Sequence, residues 1–153
     1  MIEKMEGKSN MRISNKCSMA IHILLLLAVF PESRLTSEDI ARSVGCNPVM
    51  IRNLLGKLKE AGLVITQRGT GGSSLVKAPE EISVWTVYQA VDKDSLDTLI
   101  GLHPHPYPQC PVGDKIYALL EKPYNNIKSA MQEAMEAATL KQLIGDYQAL
   151  HKA

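Results

Sequence analysis

The chain has 153 residues, 45% hydrophobic and 22% charged, with a formal net charge of +1; this suits one domain or one domain with an extension, and excludes a highly charged disordered chain. Its most apolar run, ILLLLAVF (23–30), is far shorter than the ~20 residues that cross a bilayer, and no secretory signal is evident. Three scattered cysteines, Cys17, Cys46 and Cys110, form neither a disulfide framework nor a paired metal spacing, so a reducing cytoplasm and no membrane association are expected.

Residues 1–10, MIEKMEGKSN, are polar and without periodicity, and read as a mobile extension. Ser14 can cap a helix from about Asn15 to Phe30, which Pro31 stops. In LTSEDIARSVG, Thr36 is an N-cap and Asp39 completes a capping-box spacing, with Gly45 as a left-handed stop. A third helix starts almost at once: Asn47 caps, and Pro48 fits the first position, where its missing N–H is not needed. It runs to Gly62 with Ile51, Leu54, Leu55 and Leu58 at i, i+3, i+4, i+7 as its core face. Val49, Arg52, Asn53, Gly56 and Glu60 lie opposite. LVITQR then alternates like a strand, three glycines turn the chain, and SLVK returns. Helix, helix, tight turn, helix and hairpin make a winged helix-turn-helix.

The hairpin tip, RGTGGSSLVK (68–77), admits three readings. It can be a flexible tip with no ligand. A phosphate-cradling nucleotide loop fits poorly, since no Gly-Lys-Ser/Thr follows and a strand comes next. It can also be a DNA-contacting wing, in which Arg68, Gly69, Thr70, Gly71, Gly72 and Ser73 bring backbone N–H groups and a cation to phosphates. The helix pair before it gives the last reading weight. So does charge. Residues 1–78 carry 11 Lys and Arg against 6 Asp and Glu, and residues 79–153 carry 6 against 10, which points to an anionic partner for the front half alone.

A recognition helix offers its N-terminal half to base edges. Arg52 can pair with guanine, Asn53 can read adenine, and Val49 can touch a thymine methyl. Asn47 is either a cap or a DNA contact. Lys57 suits a phosphate or is simply solvated, and Thr36 and Ser37 can offer hydroxyls and N–H groups to phosphate.

The second half starts with Ser83 capping a helix that carries Val84, Trp85, Val87, Tyr88 and Val91. The single Trp reads as core at the junction of the halves, with ligand stacking as the other option. Residues 92–102 are ambiguous. HPHPYPQCPVG follows, and its prolines force an extended segment. It holds His103, His105 and Cys110, all metal-competent types, and Cys110 can serve as a reactive thiol. A rigid link with Cys110 packed is the simplest reading; a sensor is the alternative. Leu120, Tyr124, Ile127, Met131, Ala134 and Ala138 then repeat at 4, 3, 4, 3, 4, a heptad seam suited to a partner helix. Pro123 interrupts that helix and predicts a kink. Thr139 with Gln142 caps a last helix bearing Leu140, Leu143, Ile144, Tyr147 and Leu150.

MRISNKCSMAIHILLLLA together with LTSEDIARSVGCNPVMIRNLLGKLKEAGLVITQRGTGGSSLVKAPEEISVWTVYQAV, spanning Met11 to Val91, resembles the Rrf2 winged-helix regulators, and most of all their members without an iron–sulfur cluster. KEAGLV and the RGxGGx wing carry the likeness. The resemblance implies a dimeric transcription factor, in most members a repressor, with its wing in the minor groove and its second half forming the dimer. In cluster-binding relatives three cysteines ligate the cluster in the region where this chain has only Cys110, so no cofactor is expected. The expected fold is mainly α with a small β-hairpin: an extension (1–10), a winged helix-turn-helix (11–91), a Pro/His/Cys loop (92–111) and C-terminal dimerisation helices (112–153). The expected partners are double-stranded DNA and a second copy, with an effector of unknown kind. No Ser/His/Asp order or nucleophile elbow supports an enzyme. A winged helix that serves as a protein-binding scaffold is the rival reading.

Overall fold

In the computed structural model, residues 14–69, 72–93 and 95–153 are described. The extension (1–10) and the wing residues Thr70 and Gly71 lie outside them. The first half is α1 (Lys16–Val29), α2 (Ser37–Val44), α3 (Pro48–Glu60), β1 (Val64–Thr66) and β2 (Ser73–Leu75). A 3-10 turn, Pro79–Glu81, leads to α4 (Val84–Val91), α5 (Ser95–Leu99), α6 (Ile116–Ala137) and α7 (Leu140–Lys152). The fold is mainly helical with one two-stranded antiparallel hairpin, in register Val64↔Leu75, Ile65↔Ser74 and Thr66↔Ser73.

The helix ends follow local chemistry. The Asp39 N–H donates to Thr36 Oγ1 at 3.1 Å, and the Thr36 N–H donates back to the Asp39 carboxylate at 3.0 Å. The backbone and hydroxyl donors of Thr36 hold the Asp39 carboxyl below the usual carboxylate range. Gly45, with φ 79°, ends α2 in the left-handed region. Thr139 and Gln142 form a second reciprocal box at the start of α7. Two ends depart from expectation. The Ser14 hydroxyl accepts from the Lys16 N–H at 3.4 Å, but the residue at the α1 N-cap is Asn15. The α3 C-cap is Ala61, and Gly62 takes φ 73° one residue further on. Pro123 lies inside α6, which continues through it as one helix instead of dividing into two.

One core unites both halves. Ile23, Leu24, Ile51, Leu54, Leu58 and Leu63 are each fully or almost fully buried. Burying each such side chain contributes about 1.5–3 kcal/mol. α1 gives this core Ala20, Ile23, Leu24 and Leu27, with Leu25 and Leu26 half-buried, as its apolar run predicts. α7 turns back to it: Leu140 is buried there, its N–H donates to the Ile82 carbonyl at 2.8 Å, and the Val84 N–H donates to the Ala138 carbonyl. The last helix therefore braces the first half of the chain, although the sequence pattern groups it with the long helix before it. α6 is different. None of its 22 residues is buried.

Candidate nucleic-acid interface

α3 and the hairpin flank a groove of about 490 Å³. Arg34, Leu35, Thr36 and Ser37 line it from the approach to α2, and Arg52, Gly56 and Lys59 from α3. Thr66, Gln67, Gly69, Gly72 and Ser73 close it from the wing. The expected residues Thr36, Ser37, Arg52, Gly69, Gly72 and Ser73 thus share one concave surface. Arg34, Lys59 and Gln67 join them without a sequence signal beyond their charge or polarity. Gly56 has open space where a Cβ would stand, so the groove floor stays accessible.

The wing owes its shape to its glycines. Gly69 and Gly72 take φ 76° and 70°, values that L side chains rarely adopt. The Gln67 N–H donates to the Gly72 carbonyl at 2.9 Å and closes the turn. A Cβ on Gly72 would lie 3.5 Å from Arg34 Cα and the Leu35 carbonyl oxygen. The wing root therefore sits directly against the entrance to α2. Arg68 projects from this hairpin and is exposed.

On α3, Val49 is 55% exposed and Asn53 is also exposed. Arg52 lies 3.7 Å from Glu38 in an ion pair open to solvent on both sides. Such pairs contribute at most ~1 kcal/mol, so the guanidinium is available to a base edge. Asn47 is committed as a cap: its side-chain oxygen accepts the Val49 N–H at 2.7 Å. Lys57 does not line the groove. Its Nζ lies 3.5 Å from the carbonyl oxygen of Val91, the last residue of α4, where a cation complements the negative helix end.

The loop residues do not form one centre. The Tyr117 hydroxyl donates to the His103 carbonyl at 2.8 Å, and the His103 ring meets Tyr117 edge-on. His105 takes φ 60°. Cys110 is turned into its own backbone, where the N–H groups of Gly113 and then Val112 donate to its sulfur and hold the thiol below its ordinary value of 9.0. Gly113 is required there, because a Cβ would fall 2.5 Å from the Tyr107 carbonyl oxygen. Among the described residues no three His, Cys, Asp or Glu side chains come together as a metal set. With Cys110 as its single cysteine, the loop does not supply the set of thiolates that holds a cluster. Burial pushes the Cys17 thiol the other way, to about 11, and the Asp92 carboxylate adds to the rise. At about pH 8 the thiolate fraction is therefore far larger at Cys110 than at Cys17. Iodoacetamide should label Cys110 well before Cys17, as peptide mass spectrometry would read out.

The predicted seam on α6 divides. Leu120, Tyr124, Met131 and Ala138 are half-buried against the chain itself, whereas Ile127 and Ala134 are exposed. With Leu119, Pro123, Ala130 and Ala137 these two make a stripe at spacings of 4, 4, 3, 4, 3 that is left exposed among the described residues of the single chain. Among the described residues no helix is long and apolar enough to cross a membrane.

Comparison with known proteins agrees with this geometry. Residues 13–146 match the model of a family described as Rrf2, iron-dependent transcriptional regulator. A Bacillus subtilis (strain 168) protein named as the HTH-type transcriptional regulator YwnA is 36% identical over 132 residues, covering 86% of this chain and 96% of its own. A crystal structure described as that of a DNA-binding protein superposes with a TM-score of 0.66 at 32% identity, over 84% of this chain and 98% of the other. A transcriptional regulator from Lactobacillus plantarum reaches a TM-score of 0.73 at 25% identity, over 88% and 90%.

Proposed function

Because this chain belongs to the Rrf2 family of transcriptional regulators, we propose that it is a homodimeric repressor that reads a pseudo-palindromic operator in the cytoplasm. The observation that carries this reading is the groove shared by α2, α3 and the wing, lined by Arg34, Arg52 and Lys59. Its shape suits a duplex edge, with phosphates meeting the N-terminus of α2 and the wing, and bases meeting α3. Val49, Arg52 and Asn53 take the base-reading role; Thr36, Ser37, Arg68 and the wing glycines take the phosphate role. Lys57 acts from behind by tying α3 to α4. The uncovered stripe on α6 supports pairing with a second copy, because a long amphipathic helix draws most of its stability from packing. A two-fold pair then places two recognition helices on half-sites one helical turn or a multiple apart. DNA reading here proceeds without a bound cluster, since the single loop thiol does not provide one.

Selection of bound sequences from a random duplex pool tests this reading directly. A bipartite, two-fold symmetric consensus is expected, and recovery of no consensus at all would refute it. Two substitutions separate the roles. Arg52→Ala should relax the preference at one base position by about 1–3 kcal/mol. Arg68→Ala should weaken all duplexes alike and lower the slope of log affinity against log salt by about one.

A further inference from the structure

We propose that the cleft between α4, α5 and α6 binds a small organic acid, a carboxylate carried on an apolar body. Two lobes, of about 580 and 370 Å³, fall in the size range of small-molecule sites. Asp97, Asn125 and Lys128 border both. The larger lobe is apolar on most sides, lined by Ile100, Leu102, Tyr117, Leu120 and Tyr124. The smaller one sets Gln89, Ser129 and Gln132 around Trp85, which stacks on Tyr88 with ring centroids 5.6 Å apart. Amide and hydroxyl donors thus adjoin a cation at the junction, and a greasy compartment opens beside it.

The ion pair at the junction identifies the ligand's charge. Lys128 Nζ lies 2.9 Å from Asp97, but the lysine side chain is only 32% exposed while the aspartate is 76% exposed. The cation is set into the wall, and its partner faces water from a helix of five residues. An exposed carboxylate is a weakly held partner. A ligand carboxylate can take its place on Lys128 while Asp97 returns to water, so the lysine stays paired throughout. A neutral ligand offers no such exchange; of the other charged residues, Lys93 borders the smaller lobe and Glu121 the larger, so the ligand's carboxylate belongs on the smaller-lobe side of Lys128. One recessed cation suits a monoanion.

The site also has a route to the DNA-reading face, and this part rests on the function proposed above. The Leu96 N–H donates to the Tyr88 hydroxyl and ties α5 to α4. The last carbonyl of α4, that of Val91, accepts from Lys57 of α3. Displacing Asp97 detaches α5 from α6 at one end of this chain of contacts, and α3 lies at the other.

The protein's single tryptophan, Trp85, reports on the cleft. Intact protein would be titrated with benzoate, phenylacetate and octanoate, and with the matching neutral amides. A saturable fluorescence change is expected for the acids, about tenfold weaker or absent for the amides. Preference for the ring or the chain defines the body. Lys128→Met should weaken acid binding about tenfold or more, and Asp97→Asn should strengthen it, with circular dichroism checking that both variants fold. No saturable response to any acid, equal binding of amides, or unchanged affinity in Lys128→Met would each overturn the site. Acid should also shift duplex affinity, and duplex must then shift acid affinity by the same factor. Acid binding with duplex affinity unchanged would overturn the coupling and leave the site standing. Failure to bind any duplex, with acid or without it, counts against DNA reading alone.

Discussion

Ile127→Glu should leave the protein as a single subunit and reduce its affinity for a two-half-site duplex by about a hundredfold or more. Ile127 is 42% exposed at the middle of the uncovered α6 stripe, so the carboxylate stays hydrated in the lone chain and the fold should survive. Across a two-fold axis the same change appears on both subunits, so two charges are placed in one apolar seam. Burying an unpaired carboxylate costs several kcal/mol. A neighbouring small residue, Ala134, gives a milder probe: Ala134→Leu should disturb packing without adding charge. Sedimentation equilibrium reads the state of assembly, and a mobility shift at low and moderate salt reads DNA binding. The single subunit should keep weak, salt-sensitive binding through the wing and Arg68. An Ile127→Glu protein that remains paired and binds normally would show that the subunits join elsewhere.

The choice of face on α6 shows where the sequence stopped being informative. Leu119 and Leu120 are adjacent, as are Ala130 and Met131, and Ala137 and Ala138. Two stripes that share Ile127 and Ala134 and differ by one position elsewhere can therefore both be written on this helix. Only the packing of α6 against α4 decides which is half-buried, and that depends on residues distant in sequence. The starts of α2, α3 and α7 posed no such ambiguity. The Thr36–Asp39 and Thr139–Gln142 boxes, the Asn47 cap and Pro48 are interactions within four residues, so local chemistry suffices. The hairpin was legible for the same reason.

The site was legible in part. Arg52, Gly69 and Gly72 stood out by type and position, and the structure brings them to one groove. Arg34 and Lys59 enter that groove only because the wing root folds against the α1–α2 connection, a contact that no periodicity encodes. Lys57 illustrates the converse. Its position on α3 suggests a phosphate contact, but its reach to the end of α4 is a tertiary fact. Short α5 was missed because five residues give no periodicity to measure. The Cys110 environment depends on a turn built around Gly113, which composition alone cannot locate.

Leu58→Ala should destabilise the fold by about 2–5 kcal/mol, more than the expected effect of any surface change on α3. Leu58 is completely buried on the core face of the recognition helix, and its carbonyl accepts the Leu63 N–H at 3.0 Å where the chain leaves α3 for the hairpin. Truncation removes apolar contact and leaves a cavity between elements that cannot close on it freely, because α1 and α4 pack against α3 from other sides. For a chain of this length each kcal/mol moves the melting temperature by roughly 2–4 °C, so a drop of about 5–15 °C is expected in a thermal melt. Leu58→Met keeps most of the volume and should cost under about 1.5 kcal/mol. Val49→Ala, at an exposed position on the opposite face, should leave the melt almost unchanged and alter base preference instead. That contrast separates the two faces of one helix: the inner face sets stability, and the outer face sets what is read. A melt for Leu58→Ala within a degree or two of the unsubstituted protein would show that α3 is not anchored through this side chain, and the rigid presentation of Arg52 and Asn53 would lose its structural basis.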